Sequence, residues 1–183
     1  MHLSPYCCFM NKKVKNSSKG SEIVMKAIIQ RVKYANVEVN QECVGKIGQG
    51  FLVLLGVKKG DTKQDAEYLA KKICNMRIFE DDKGKMNINI KDIKGEILVV
   101  SQFTLYADCR SGNRPSFIEA EKPEKANELY EYFKDLIKNE IGSVASGVFG
   151  EDMKVSLVND GPVTVDLESW WCITIYLESW WNM

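Results

Sequence analysis

Histidine is all but missing from this 183-residue chain: the one copy, His2, stands in a lysine-rich leader, away from the patterned part of the sequence. An imidazole base inside the fold is therefore excluded, and with it Ser-His-Asp and Cys-His nucleophilic schemes and the usual His-bearing zinc hydrolase sites. A CxxC pair is missing too. Cys7, Cys8, Cys43, Cys74, Cys109 and Cys172 follow no disulfide or zinc framework, which points to free thiols in a reducing compartment. No stretch reaches the roughly 20 apolar residues of a membrane span, and no apolar core of a secretory signal opens the chain. The expectation is a soluble cytoplasmic protein without membrane contact. Net charge is also absent, at 25 basic against 25 acidic groups. Lys12, Lys13, Lys15 and Lys19 face only Glu22 in the first 24 residues, so the other 159 carry 21 basic and 24 acidic groups. A polyanion meets no basic body here, and contact with RNA needs a local patch or the leader.

What is present, at 45% hydrophobic and 27% charged residues, suffices for one domain with a real core. Residues 1–24 show no periodicity and read as a disordered basic leader, with an organelle-targeting peptide as the lesser alternative. At Met25 an alternating pattern begins abruptly, so the domain is placed at 25–169. Strands are expected at 26–32, at 34–39 with Ala35, Val37 and Val39 inward, and at 51–57 as a fully buried run. A turn region at 45–50 separates the last two. Gly60, Asp61 and Thr62 cap a helix reaching about Met76, and 81–85 forms a hairpin-like turn. A buried strand follows at 96–106, then a polar loop at 107–115. Pro123 opens a second helix that Gly142 stops. Short strands at 146–149, 154–158 and 163–167 complete the domain. Strands punctuated by two helices, without regular βα alternation, indicate an α+β fold, a curved barrel-like sheet flanked by two main helices. In the remainder, 170–183, the block LESWW recurs, and all four tryptophans lie in its two copies at 167–171 and 177–181. This stretch reads as a non-domain tail.

Two segments carry polar chemistry at places where a strand ends or turns. In SQFTLYAD, from Ser101, the residues Ser101, Gln102 and Thr104 interrupt an apolar run. That is either an ordinary strand terminus or a place where unpaired backbone N–H groups meet a developing oxyanion. In NDGPVTVDLE, from Asn159, the residues Asn, Asp, Gly and Pro form a turn by themselves and require no function. Arg31 interrupts the first strand; Met153 and Phe149 precede the second motif. A surface arginine and two core residues are the plain reading of these three. Thr164 carries a hydroxyl but no adjacent base, so it is a weak nucleophile.

Together with the opening MKAIIQRV and with FGEDMKVSLV ahead of the second motif, these blocks resemble the signatures of D-aminoacyl-tRNA deacylases, in the same order from Met25 to Leu167. The resemblance implies a metal-free, cofactor-free homodimer acting on the 3′-terminal adenosine end of D-aminoacyl-tRNA. It assigns the catalytic pocket to Ser101, Gln102, Phe103 and Thr104. It assigns substrate contacts to Gly161, Pro162, Val163 and Thr164, with Arg31 under the loop and Met153 near the adenosine. The Gly161-Pro162 bond is expected to be cis and to enter the other subunit's site, where backbone carbonyls exclude an L side chain. Such a wall reads handedness without reading the side chain, and it spares glycine none of the hydrolysis. A non-catalytic RNA-binding module on the same fold is the main alternative, and a broad small-ester hydrolase the second.

Overall fold

The computed structural model describes residues 25–169. The expectations for the leader and for 170–183 lie outside the described residues. The chain builds a nearly closed, barrel-like mixed sheet with two helices on one side, the α+β class read from the sequence.

Strand β1 (Lys26–Val39) is the spine. One of its edges carries β3 (Gly50–Gly56) beside its first half and β2 (Glu42–Ile47) beside its second, both antiparallel; β8 (Lys154–Glu168) runs antiparallel along the other edge. Strand β6 (Glu96–Ser101) lies parallel to β3, and the short β7 (Ala145–Ser146) parallel to β6. Closure comes where β2 approaches β7. A Cβ on Gly45 would stand 2.8 Å from the Ser146 carbonyl oxygen, so only glycine admits this contact. A separate hairpin pairs β4 (Phe79–Glu80) with β5 (Met86–Ile88) across the expected DDKGK turn.

The apolar runs in β3 and β6 exist because both faces of these strands are buried. Phe51, Val53, Leu55, Ile97 and Val99 face the helices, whereas Leu52, Leu98 and Val100 face the barrel interior. Parallel strands covered on both sides carry such continuous apolar sequences. Helix α1 (Lys63–Asn75) begins at Thr62, whose backbone N–H donates to the Asp65 carboxylate at 2.9 Å, and buries Ala66, Leu69, Ala70 and Ile73. Helix α2 (Pro123–Ile141) starts on Pro123, ends on Gly142 at φ 88°, and buries Leu129, Tyr130, Phe133 and Ile137 against the same layer. Neither is long and apolar enough to cross a membrane.

Five expectations about boundaries need correction. The strands placed at 26–32 and 34–39 are one strand. Ala27 and Ile29 face the helices, Val32, Ala35 and Val37 face the barrel, and a register shift at Lys33 switches the face. One extra residue moves every later side chain across the sheet, so the break in alternation marks a bulge and not a chain end. The strands at 154–158 and 163–167 likewise belong to one ladder on β1. Residues 45–47 of the expected turn region belong to β2, only 48 and 49 bend before β3, and the chain reversal lies at Asn40 and Gln41, both at positive φ. The strand expected at 96–106 stops at Ser101, where a 3-10 turn at Phe103–Tyr106 takes over, and that at 146–149 shrinks to β7.

Candidate active site

The 3-10 turn is set by the strand beside it. The Gln102 N–H donates to the Leu55 carbonyl at 2.8 Å, extending the β3–β6 pairing by one bond before the chain bends. Gly56 makes the bend possible: a Cβ there would stand 3.0 Å from the Tyr106 ring and 3.2 Å from both the Gln102 carbonyl oxygen and Leu105 Cβ. The Tyr106 hydroxyl donates to the Gly56 carbonyl at 3.2 Å from the far side. Within the turn, Leu105 N–H reaches the Gln102 carbonyl and Ala107 N–H the Thr104 carbonyl. The N–H groups of Phe103 and Thr104, the first two of the turn, meet no acceptor among the described residues. Free donors of this kind are intrinsic to a helical start.

Phe103, though not Thr104, lines a cavity of about 360 Å³ enclosed by Ser101, Gln102 and Phe103 on one side and by Phe117, Tyr130 and Phe149 on the other. Its walls are apolar. Phe103 packs edge-on against Phe117 at 5.1 Å, and Tyr130 is held by donating its hydroxyl to the Val99 carbonyl at 2.9 Å. A second hollow of about 250 Å³ shares Ser101, Gln102 and Phe103 and adds Met153. The structure thus brings Ser101, Gln102, Phe103, Phe149 and Met153 together. Thr104 is exposed and lines neither hollow; its hydroxyl accepts from the Gln102 side-chain amide. Phe117 and Tyr130 carried no signal of their own in the sequence, Tyr130 being indistinguishable from the core stripe of α2.

The second motif forms a protrusion. Thr164 lies opposite Gln30 and Asn159 opposite Val32, so the four residues 160–163 face the single residue Arg31. The Asn159 side chain closes the base of this large bulge: its carbonyl accepts from Val163 N–H at 2.7 Å, and its amide donates to the Val163 carbonyl and the Thr164 hydroxyl at 3.2 Å each. Arg31 supports it from below. Although charged, Arg31 is 5% exposed, and it donates Nε to the Asp160 carbonyl at 2.9 Å and Nη1 to the Ile78 carbonyl at 2.6 Å. The Asp160 and Glu80 carboxylates lie 3.8 and 3.9 Å away. The plain reading of Arg31 as a surface residue is thereby set aside. Above it Gly161 and Pro162 are exposed, joined by a cis peptide bond, with Gly161 at φ 138°. None of residues 159–164 lines either hollow beside β6. Within one chain, then, protrusion and cavity are separate features.

One buried carboxylate stands outside the lining of either hollow. Asp61 is fully buried, accepts from Lys58 N–H at 2.6 Å, and leaves Oδ1 without a partner. Burial pushes its carboxyl up to about 7, against the lowering effect of the Lys58 bond. Among the described residues no group of His, Cys, Asp and Glu converges as a metal site would need.

Comparison with known proteins bears on this geometry. A family profile described as D-Tyr-tRNA(Tyr) deacylase matches residues 28–168. A D-aminoacyl-tRNA deacylase of Thermosipho melanesiensis is 60% identical over 146 residues, covering 79% of this chain and 97% of its own. One from Clostridium novyi is 54% identical over 145 residues with the same coverage. Among solved structures, a "c-Myc DNA Unwinding Element Binding Protein" superposes with a TM-score of 0.73 at 41% identity, over 78% of this chain and 97% of its own. A "probable eukaryotic D-amino acid tRNA deacylase" shares the fold at a TM-score of 0.70 and 16% identity, over 79% and 99% of the two chains.

Proposed function

The chain belongs to the D-aminoacyl-tRNA deacylase family and is a hydrolase of the ester joining a D-amino acid to tRNA, and from that premise we propose that it works as a homodimer whose two motifs meet across subunits. The ester carbonyl lies at the Ser101–Phe103 rim, with the terminal adenosine approaching past Phe149 and Met153. Water adds to the carbonyl carbon, the developing oxyanion takes the N–H groups of Phe103 and Thr104, and the ester C–O bond breaks as the 3′ oxygen gains a proton. Donors fixed before the reaction stabilise charge without reorganising, which is worth a factor of about 10² to 10³ for each. The unpaired Phe103 amide at the cavity rim, with the unpaired Thr104 amide next to it in the chain, carries this reading.

No side chain in the site is poised to attack. Thr104 and Thr164 hydroxyls are engaged with amide groups of Gln102 and Asn159 and touch no base, so a threonine nucleophile would act at its unperturbed, very high pKa. The substrate itself supplies a 2′-OH next to the ester, and placing it to orient the water contributes through proximity.

The Gly161–Pro162 crest of the partner subunit then closes the cavity beside Cα of the amino acid. A wall made of backbone excludes whatever projects from the L face, whichever amino acid is attached, and Val163 and Thr164 carry the crest back into β8. Glycyl-tRNA has nothing to exclude and is hydrolysed as a side activity. The rival reading is a nucleic-acid-binding module without turnover, and it draws on the 41% identical solved relative, which is named for binding DNA. The 21 basic against 24 acidic groups after residue 24 count against a general polyanion binder.

Purified protein incubated with matched D- and L-tyrosyl-tRNA decides between them. Release of D-tyrosine alone is expected; binding of both without turnover of either would favour the module.

A further inference from the structure

Between the 3-10 turn and the far wall of the cavity the chain makes an excursion. It leaves at Tyr106 and returns at Phe117, and its stem is a pair of bonds, Asp108 N–H to the Ser116 carbonyl at 2.8 Å and Ser116 N–H to the Asp108 carbonyl at 2.9 Å. The tip, residues 109–115, is exposed throughout and contains no acidic residue.

Charge at this tip is not balanced. Of the four arginines in the chain, Arg31, Arg77 and Arg110 each place the guanidinium on an acceptor within the fold. Arg110 is spent on shaping the hairpin: its backbone N–H and Nε each donate to Asp108 Oδ1 at 2.9 Å, and Nη2 to Oδ2 at 2.6 Å. Those bonds hold the Asp108 carboxyl down at about 2. Of the acids nearby, Glu119 faces Lys58 Nζ at 3.6 Å. Asp108 and Glu119 are thus each matched by a cation, and Arg114, on the exposed tip, has no partner among the described residues.

We infer that the 109–115 tip is a docking surface for the phosphate backbone of the tRNA acceptor strand, with Arg114 as its phosphate contact. The inference rests on the deacylase reading, which puts the 3′ end of an RNA in the adjoining cavity. Arg114 lies three residues from Phe117 on the cavity wall, a span of at most about 10 Å, so phosphates just upstream of the terminal nucleotide fall within reach of its side chain. A planar guanidinium pairs two phosphate oxygens at once. The balanced charge elsewhere makes such a local contact necessary, because contacts to phosphate position the RNA without reading its sequence.

The test uses the full chain and three variants, R114Q, R114K and K138Q. Lys138 is an exposed cation near the C-terminal end of α2, remote from the Pro123 end that borders the cavity. Binding of uncharged tRNA and kcat and KM on D-tyrosyl-tRNA are measured across a salt series. R114Q should raise Kd and KM about three- to tenfold, leave kcat within about twofold, and lower the slope of log K against log salt by about 1. R114K should recover most of the slope, and K138Q should match the unaltered protein. Unchanged Kd and slope in R114Q, equal losses in R114Q and K138Q, or a loss confined to kcat would each overturn the inference. If the unaltered chain releases no D-tyrosine yet the tRNA-binding pattern holds, the deacylase reading fails and the docking surface stands.

Discussion

The cavity beside β6 and the crest at 160–163 are opposite solutions to the use of backbone groups. At the cavity rim the fold leaves the Phe103 N–H unspent, beside apolar walls. In the crest nearly everything at the base is spent: Asn159 closes the bulge on Val163, and Arg31 takes the Asp160 carbonyl from a position inside the protein. In the proposed mechanism one region receives charge that appears during the reaction, and the other presents a fixed shape. In the proposed dimer each supplies what the other lacks. On that proposal an enzyme without a histidine in its fold handles an ester with backbone donors, and its selectivity would reside in backbone and not in a side-chain pocket.

The largest effect should come from the substrate's side of the cavity. A D-tyrosyl-tRNA ending in 2′-deoxyadenosine, charged on its 3′-OH, should bind with near-normal affinity and react at least about 10²-fold more slowly in single-turnover kinetics. Normal turnover of that substrate, with Thr104→Ala inactive, would move the chemistry onto a threonine.

A smaller effect separates the donor from the side chain. Phe103→Pro removes one free N–H at the first position of the turn, where proline is tolerated, and should lower kcat about 10²-fold. Phe103→Ala, which removes the ring and keeps the N–H, should cost about tenfold or less. Equal losses in the two variants would argue that the ring and not the amide matters.

On the crest, Arg31→Leu should leave Asp160 and Ile78 carbonyls without donors, costing about 1 to 3 kcal/mol of stability for each such group. Selectivity should suffer before turnover does. The ratio of D- to L-tyrosyl-tRNA hydrolysis is expected to fall about tenfold below the melting transition, and an unchanged ratio would detach Arg31 from the crest's function.

The mildest expected change concerns the buried Asp61 carboxyl. Asp61 has a folded-state value raised to about 7, so the folded protein holds a proton that the unfolded chain gives up at lower pH. Its contribution to stability is fully present below the ordinary carboxylate range and is lost as pH rises through about 7. Thermal melts should fall by a few degrees between pH 5.5 and 8, and Asp61→Asn, which still accepts from Lys58, should flatten that dependence.

Much of this was legible in the sequence where one residue type has one physical use. Pro123 and Gly142 bracket α2, Thr62 opens α1, and the apolar runs of β3 and β6 report burial on both faces. The motifs located both halves of the proposed site. Long-range features were not legible. The bulge at Lys33 imitates a chain break, because periodicity registers a change of phase without its cause. Gly45 reads as a turn residue although its role is the close approach of β7. Arg31 reads as a surface charge, because its acceptors are carbonyls from residues 47 and 129 positions away. Phe117 and Tyr130 reach the cavity from a loop and a helix that no local pattern connects to Ser101.

The claim that cavity and crest belong to different subunits is tested most directly by mixing. Phe103→Pro chains, with a disabled cavity and an intact crest, are refolded with an excess of Gly161→Ala chains, in which an added Cβ would stand 2.7 Å from Val163 Cγ2 and 3.1 Å from Arg31 Nη2. Differently tagged mixed dimers are isolated, and their D-to-L selectivity is measured on tyrosyl-tRNA. In such a dimer the one competent cavity belongs to the Gly161→Ala chain, and the account has it closed by the unaltered crest of its partner, so the D-selectivity of the unmutated enzyme should return. Selectivity as poor as that of the Gly161→Ala homodimer would show that each crest serves its own chain, and would contradict the account.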